Sequence, residues 1–284
     1  MSASGSIVGD TIDRLHSVDP QGPAVFFATP AYAGLHPLYV RSLLESTREL
    51  CRAGLRVQHS FTIHQALIQN AREELFGQFL ASGAKWMVMA DGDIGWDKHL
   101  PRILTDFDKP LVAAAAPGRK LYLERAIQSG KLQEAIGFNV APSDHDALRG
   151  LSRAGETFHG HTFIRVPLCA TTFFVMRRDA ALHMADFYRH ELEVNIAGTP
   201  SVALFHPLIE DKLHYGEDLS FFLRYVRMRY APIWAITSAT LSHSGPLTFT
   251  GNLERTLFDA GNSEPVTRAW PYEETTTQGD LPRE

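Results

Sequence analysis

The sequence KWMVMADGD, residues 85–93, joins an apolar run to an acidic turn. A short apolar run bounded by turn residues is typical of a buried strand, and we predict one over residues 85–90. Asp91 and Asp93 would then lie at the carboxyl end of this strand, where open α/β sheets bind ligands. Gly92 permits a tight turn that brings the two carboxylates toward one hard cation, although an exposed acidic turn without a function has the same pattern.

Elements of alternating type surround this strand. In the helix predicted over residues 66–82, the apolar residues from Ile68 to Phe79 recur at steps of three and four, which favours packing on a sheet. Short crossovers through helices require parallel strands, so we expect an α/β, Rossmann-like fold with a mostly parallel sheet flanked by helices. The other predicted elements of this half are strands 23–29, 55–62 and 110–116 and the helix 37–53.

The second half has a less regular pattern. Residues 119–166 are mixed, and residues 191–215 are irregular. The predicted elements are strand 167–178, helix 179–190, helix 217–230 and strand 233–241. We therefore predict a single domain over residues 23–261, with residues 119–166 as an insertion. Residues 1–22 and 262–284 are rich in polar and turn-forming residues and are predicted to be flexible tails.

Composition narrows the functional classes. The 284 residues include 27 Lys and Arg and 32 Asp and Glu, for a net charge of −5, with 44% hydrophobic residues. This is globular composition, and the charge argues against binding nucleic acid by bulk electrostatics while leaving a local groove possible. No apolar run approaches the ~20 residues of a membrane span. With only Cys51 and Cys169, the sequence favours a cytoplasmic protein without disulfides.

Four other short motifs accompany the predicted elements, three at element ends and NAR within the predicted helix 66–82. They are TP at 29–30, NAR at 70–72, GED at 216–218 and HSG at 243–245. Each one alone has a structural explanation, namely a turn, a solvated helix face, a helix cap and a hydrogen-bonded histidine. Their order along the chain is the more specific signal.

This order of motifs resembles that of nucleotide-sugar glycosyltransferases of the GT-A fold. The resemblance covers about residues 23–252 and is greatest to the compact, stand-alone transferases of bacteria and bacteriophages. It implies a metal-dependent enzyme that moves a sugar from a nucleotide-sugar, in particular a UDP-sugar, to a hydroxyl acceptor. Some phage members modify hydroxymethylated pyrimidines in DNA, which makes such DNA one candidate acceptor. A surface polysaccharide or a lipid-linked sugar is the other.

The resemblance also implies a metal site. In such enzymes the DxD turn binds the metal that bridges the diphosphate of the donor. Asp93 would be a direct ligand of Mn²⁺ or Mg²⁺, and His243 would be a later ligand. Asp91 would contact the ribose or a metal-bound water. The chemistry needs a cation because the departing diphosphate carries negative charge that must be neutralised.

Further residues match positions that contact the donor. Arg72 would lie near the nucleotide, and Thr29 and Pro30 would line the pocket of the base and ribose. Thr171 and Thr172 match a segment that borders the donor sugar. The family's glycine-rich form of that segment is absent here, which leaves the identity of the sugar open.

Catalysis and the acceptor involve the second half of the chain. Asp218 matches the general base of an inverting transferase, with Glu217 as its rival; in a retaining enzyme the carboxylate would instead hold a sugar. The basic turn Gly118-Arg119-Lys120, from which Lys120 is the candidate residue, could flank the phosphates or be solvated. The insertion 119–166 would face the acceptor. Helix 217–230 has a basic side that could follow DNA, although a charged outer face is the favoured interpretation.

Two other functions remain possible. An apolar strand followed by DxD also begins phosphohydrolases that form an aspartyl phosphate, with Asp91 as the nucleophile. Those enzymes have Thr or Val where this sequence has Gly95, and their downstream lysine has no clear counterpart here. The second alternative is a sugar or nucleotide binder without catalytic activity.

Overall fold

A computed structural model describes residues 22, 24–130, 132–143 and 145–258 of the chain. Helices cover both faces of an eight-stranded sheet, so the predicted α/β class is confirmed. The predicted tails, 1–22 and 262–284, lie outside the described residues except for Gly22. Within the described part of the chain, no helix is both long enough and apolar enough to cross a membrane.

The first half alternates strands and helices as predicted. Strand β1 pairs in parallel with both β2 and β3, which places their carboxyl ends at one edge of the sheet. Pro37 begins the first helix, where its missing N–H is not needed, and the ring of His36 accepts a hydrogen bond from the backbone of Leu38. The elements are β1 (Val25–Ala31), α1 (Pro37–Arg52), β2 (Val57–Ile63), α2 (Ile68–Ser82), β3 (Trp86–Ala90), β4 (Ile94–Trp96), α3 (Leu100–Asp106) and β5 (Leu111–Ala114).

The second half contains more short elements than its pattern indicated. Residues 119–166 and 191–215, for which the sequence predicted no regular elements, both contain hairpins. The predicted strand 233–241 is two strands. The elements are β6 (Pro117–Leu121), α4 (Leu123–Ser129), a 3₁₀ turn (Leu132–Ala135), β7 (Ile136–Phe138), α5 (His145–Arg153), β8 (Glu156–Phe158), β9 (His161–Val166), β10 (Phe173–Arg177), α6 (Arg178–Leu192), β11 (Glu193–Ile196), β12 (Thr199–Val202), β13 (Leu208–Glu210), β14 (Leu213–Tyr215), α7 (Glu217–Arg227), β15 (Ile233–Ile236), β16 (Thr240–His243), β17 (Phe249–Asn252) and α8 (Leu253–Phe258).

The prediction of a mostly parallel sheet is wrong. The strand order is β2-β1-β3-β10-β5-β15-β9-β8, and only the β1–β2, β1–β3 and β5–β15 pairs are parallel. Strand β10 runs antiparallel between β3 and β5, and residues 167–172, rather than a crossover helix, lead into it. Strands β8 and β9 also extend this sheet, so the predicted insertion supplies two of its strands.

Two apolar layers hold the helices on the sheet. Alternate residues of β1 face opposite sides of the sheet, as the period of a strand requires. Phe26 lies in the apolar layer that includes α2 and α7, with its ring centroid 5.9 Å from that of Phe79, and Phe27 lies in the layer that includes α1. Helix α2 also approaches β12 so closely that a Cβ at Gly77 would lie 2.4 Å from the carbonyl oxygen of Pro200. The helix that carries Arg72 is therefore held on two sides.

Candidate functional site

A cleft of about 490 Å³ opens at the carboxyl edge of β1 and β3. It brings together most of the residues that the motifs predicted, from both halves of the chain. The predicted residues that line it are Pro30, Arg72, Asp91, Asp93, Thr172, Glu217, Asp218 and His243. Arg119, from the basic turn that was proposed to flank the phosphates, also lines it. Tyr32, His36 and Asn139 line it as well and were not predicted.

The acidic turn at the base of the cleft is fixed by its backbone. Three segments that are distant in sequence form hydrogen bonds with the backbone of this turn, so the backbone positions of both aspartates are fixed. The hydrogen bonds run from Asp91 N to Thr172 O at 3.0 Å, from His36 N to Gly92 O at 2.8 Å and from Ser244 N to Asp93 O at 2.9 Å. Gly92 is not among the residues with positive φ; its role is close packing, because a Cβ there would lie 3.1 Å from Leu35 Cδ2.

Asp91 is paired with a buried arginine. Arg72 Nη1 and Nη2 donate to the two carboxylate oxygens at 3.0 and 3.4 Å, and the arginine side chain is 3% exposed. Nη2 also lies 3.6 Å from Asp218 Oδ1 and 3.9 Å from Glu217 Oε1. Burial raises the pKa of Asp91 to about 7; Arg72 opposes this rise, whereas Asp218, Asp93 and Glu217 add to it. The buried guanidinium thus serves several carboxylates at once.

Asp93 has a different environment. His243 Nδ1 donates to the carbonyl oxygen of Pro117 at 2.9 Å, so in the neutral ring Nε2 carries the lone pair. This Nε2 lies 3.7 Å from Asp93 Oδ2, and the histidine side chain is 9% exposed. Arg119 Nη1 donates to the same Oδ2 at 3.0 Å.

The Asp93–His243 pair fits a divalent cation in part. A carboxylate and an imidazole oriented by a carbonyl are suitable ligands for Mn²⁺. Residues 22, 24–130, 132–143 and 145–258 contain no group of three or more His, Cys, Asp or Glu that could hold a metal ion. A cation at this pair would therefore need further ligands from a substrate and from water.

Asp218 is held by the segment that precedes β10. It lies in the first turn of α7, and its Oδ1 accepts a hydrogen bond from Thr171 N at 3.2 Å and another from the Thr171 hydroxyl. Next to it, Thr172 Oγ1 accepts a hydrogen bond from Asn139 Nδ2 at 3.1 Å. Asn139 comes from the unassigned region, and no motif in the sequence pointed to it.

Three predicted residues, Thr29, Lys120 and Thr171, are not among those that line the cleft. Thr171 is fully buried and contacts the site through its hydrogen bonds to Asp218. Thr29 is fully buried, and its hydroxyl forms a hydrogen bond with that of Tyr39. Lys120 is exposed, with Nζ 5.2 Å from the ring centroid of Tyr122. Successive residues of a strand point to opposite sides, so in β6 it is Arg119 that reaches the cleft.

Comparison with protein-family models finds no match to this sequence, and comparison with curated proteins finds no significant match.

Proposed function

We propose that the protein is a GT-A-type glycosyltransferase that transfers a sugar from a nucleotide-sugar, with a UDP-sugar as the first candidate, to a hydroxyl acceptor. One observation carries the proposal: Arg72, the turn 91–93, Asp218 and His243 line a single cleft although they come from four distant segments. These are the elements whose order suggested a transferase. The cleft also lies at a sheet edge of the kind where α/β proteins bind nucleotides.

The charge of the cleft supports a divalent cation. Four carboxylates and two guanidinium groups line it, so negative charge is in excess when all six are ionised. A nucleoside diphosphate is itself an anion and would be repelled by this surplus. A cation held by Asp93 and His243 would remove the surplus and, when bound, would neutralise the departing diphosphate.

The two aspartates of the turn have separate roles in this proposal. Asp93 holds the cation together with His243 Nε2, which lies 3.7 Å away. Asp91 is tied to Arg72 by two hydrogen bonds, so it positions the nucleotide by accepting a hydrogen bond from the ribose. Pro30 supports the nucleotide from the end of β1.

Asp218 is the proposed general base for an inverting transfer. Thr171 donates two hydrogen bonds to its Oδ1, which orients the carboxylate and makes Oδ2 the oxygen that takes the proton of the acceptor hydroxyl. Glu217 is the weaker candidate because its contact with Arg72, at 3.9 Å, does less to orient it. In a retaining transfer, the oriented Asp218 would instead hold the sugar.

Helix α7 gives little support for DNA as the acceptor. Arg224 is buried and donates to the carbonyl oxygens of Leu204 and His206 at 2.7 Å, so it stabilises the fold. Arg227 forms an ion pair with Glu210. Arg224 is therefore not available to a phosphate backbone, and the basic side predicted for this helix gives no specific support for DNA over a sugar hydroxyl as the acceptor.

The position of Asp91 argues against an aspartyl-phosphate mechanism. A nucleophilic carboxylate must reach a phosphorus atom, whereas both oxygens of Asp91 bind Arg72. The lysine that such a mechanism needs also has no candidate at Lys120, which is not among the residues that line the cleft. A transferase mechanism needs neither a nucleophilic Asp91 nor a lysine in the cleft, so it is consistent with the turn 91–93.

The test is turnover of nucleotide-sugars with Mn²⁺, with free sugars, oligosaccharides and hydroxymethylcytosine or hydroxymethyluracil DNA as acceptors. Mass spectrometry of the products detects transfer. We expect Asp218→Asn to reduce the rate by about 10²- to 10⁴-fold, the usual contribution of a general base. Asp146→Asn, a change at another exposed acid in the first turn of a helix, is the matched control and should keep the rate.

Either of two results would contradict the proposal. One is the absence of donor turnover under every condition. The other is an equal rate for the wild type and Asp218→Asn, which would remove the base. Cation-dependent nucleotide binding without any turnover would favour a non-catalytic binder instead.

A further inference from the structure

Arg119 forms a hydrogen bond with Asp93 Oδ2, the carboxylate oxygen that is nearest to His243 and would bind a metal ion. Its Nη1 lies 3.0 Å from Asp93 Oδ2, the oxygen that lies 3.7 Å from His243 Nε2. A divalent cation bound to this oxygen and to Nε2 would lie roughly 2.0 to 2.2 Å from each. The cation would repel the guanidinium and weaken its hydrogen bond, because both are positive and both contact the same oxygen.

The arginine is also free to leave. Its side chain is 52% exposed, and a single nitrogen, Nη1, makes both of its hydrogen bonds, to Asp93 Oδ2 at 3.0 Å and to the carbonyl oxygen of Ser244 at 3.5 Å. Exposed ion pairs of this kind contribute little to stability, so a stronger partner displaces them readily.

The diphosphate of the donor is that stronger partner. Arg119 and Asp93 line the same cleft, so a diphosphate held there beside a cation at Asp93 would lie near the guanidinium. Guanidinium groups match phosphate oxygens with two parallel hydrogen bonds, which are stronger than the single contact with Asp93.

We propose that Arg119 exchanges partners during donor binding. It pairs with Asp93 in the free protein and moves to the diphosphate when a cation takes its place. The inference rests on the proposed function, because it assumes a cation and a diphosphate in the cleft. Its consequence is coupling: Arg119 weakens the binding of the cation alone and strengthens the binding of the cation and diphosphate together.

The test measures Mn²⁺ binding directly, from the electron paramagnetic resonance signal of free Mn²⁺, with and without UDP, GDP, ADP or CDP. Arg119→Ala is compared with the wild type and with Arg52→Ala. Arg52 is the matched control because it is equally exposed, at 51%, and forms an ion pair with Glu49 at 2.9 Å. Thermal unfolding of each variant verifies the fold.

The two effects of Arg119→Ala have opposite signs. Alone, Mn²⁺ should bind about two- to fivefold more tightly, as expected from losing a surface ion pair. In the presence of the nucleoside diphosphate that binds the wild type, the variant should bind Mn²⁺ and this nucleotide about tenfold more weakly than the wild type, or weaker still. The reason is that the variant lacks the charge-assisted hydrogen bonds from Arg119 to phosphate. Arg52→Ala should change neither.

The outcomes separate this inference from the proposed function. If the wild type binds Mn²⁺ and a nucleoside diphosphate cooperatively but Arg119→Ala does not tighten Mn²⁺ binding, the exchange is refuted and the donor site stands. If neither protein binds Mn²⁺ under any condition, both are refuted. A variant that binds Mn²⁺ more tightly and the nucleotide less tightly supports both.

Discussion

The turn 91–93 holds two carboxylates that differ mainly in their surroundings. Asp91 and Asp93 each accept a hydrogen bond from a guanidinium nitrogen at 3.0 Å. On the buried side of the cleft, the partner is Arg72, whose side chain is 3% exposed. On the open side, the partner is Arg119, whose side chain is 52% exposed. The same contact therefore has a structural role in one place and an exchangeable role in the other.

Burial accounts for this difference. Arg72 has two hydrogen bonds to Asp91, and its Nε is buried without a hydrogen-bond partner among the described residues. Such a group is costly to desolvate and is stable only with its carboxylates in place. Arg119 remains largely hydrated, so losing Asp93 costs it little. The buried Arg72–Asp91 pair can therefore keep the structure of the cleft while the guanidinium of Arg119 is replaced at Asp93 by a metal ion.

The largest expected effect is on the buried side. Arg72→Ala should lower the free energy of unfolding by about 3 to 5 kcal/mol, because it leaves several carboxylates close together without their cation. Urea denaturation measures this loss. The double variant Arg72→Ala with Asp91→Asn should recover at least about 1 kcal/mol relative to the sum of the single changes, since the two residues are coupled. Strict additivity would show that the pair is not the source of the effect.

A second, smaller effect concerns the carboxyl next to Arg72 in α2. Glu73 is fully buried, with Oε1 2.9 Å from His206 Nδ1. Burial raises the pKa of Glu73 above its ordinary value of 4.5, while His206 and Arg224 oppose this rise. A carboxyl with a raised pKa contributes stability that is present in acid and is lost as the pH rises through that pKa.

Glu73→Gln should remove this titration. We expect the stability of the variant relative to the wild type to increase as the pH rises from about 4.5, measured by urea denaturation at several pH values. Parallel pH profiles for the two proteins would mean that Glu73 does not titrate differently in the folded state.

The smallest expected effect is on the open side. Arg119→Ala should change the free energy of unfolding by less than about 1 kcal/mol, the range of exposed ion pairs. Arg52→Ala should have a similar effect, because its pair has nearly the same length and exposure. A loss near that of Arg72→Ala would remove the distinction between the two sides of the cleft.

Local sequence patterns predicted the first half of the fold well. Strands β1, β2 and β3 and helices α1 and α2 lie within a few residues of their predicted positions, because apolar periodicity and turn residues agree there. The direction of β10 could not be predicted in this way. A strand that is buried on both faces has the same apolar run in either direction, and its direction depends on the path of residues 167–172.

The candidate site was predictable to the extent that motifs mark strand and helix ends. Asp93, Asp218 and His243 fall there and line the cleft. Thr29 does not, because strand β1 continues through Ala31 and buries it. Asn139 comes from a segment without a regular pattern, so only the folded chain places it beside Thr172.

The most direct test of the central claim is the thermal unfolding of the wild type and Asp93→Asn with UDP, GDP, ADP or CDP, each with and without Mn²⁺. We predict that at least one nucleoside diphosphate raises the Tm of the wild type by several degrees only when Mn²⁺ is present, as expected when ligand exceeds its Kd by about 100-fold. Asp93→Asn should keep its fold and lose this shift. A shift that does not need Mn²⁺, or one that Asp93→Asn retains in full, would contradict a cation-dependent donor site at Asp93.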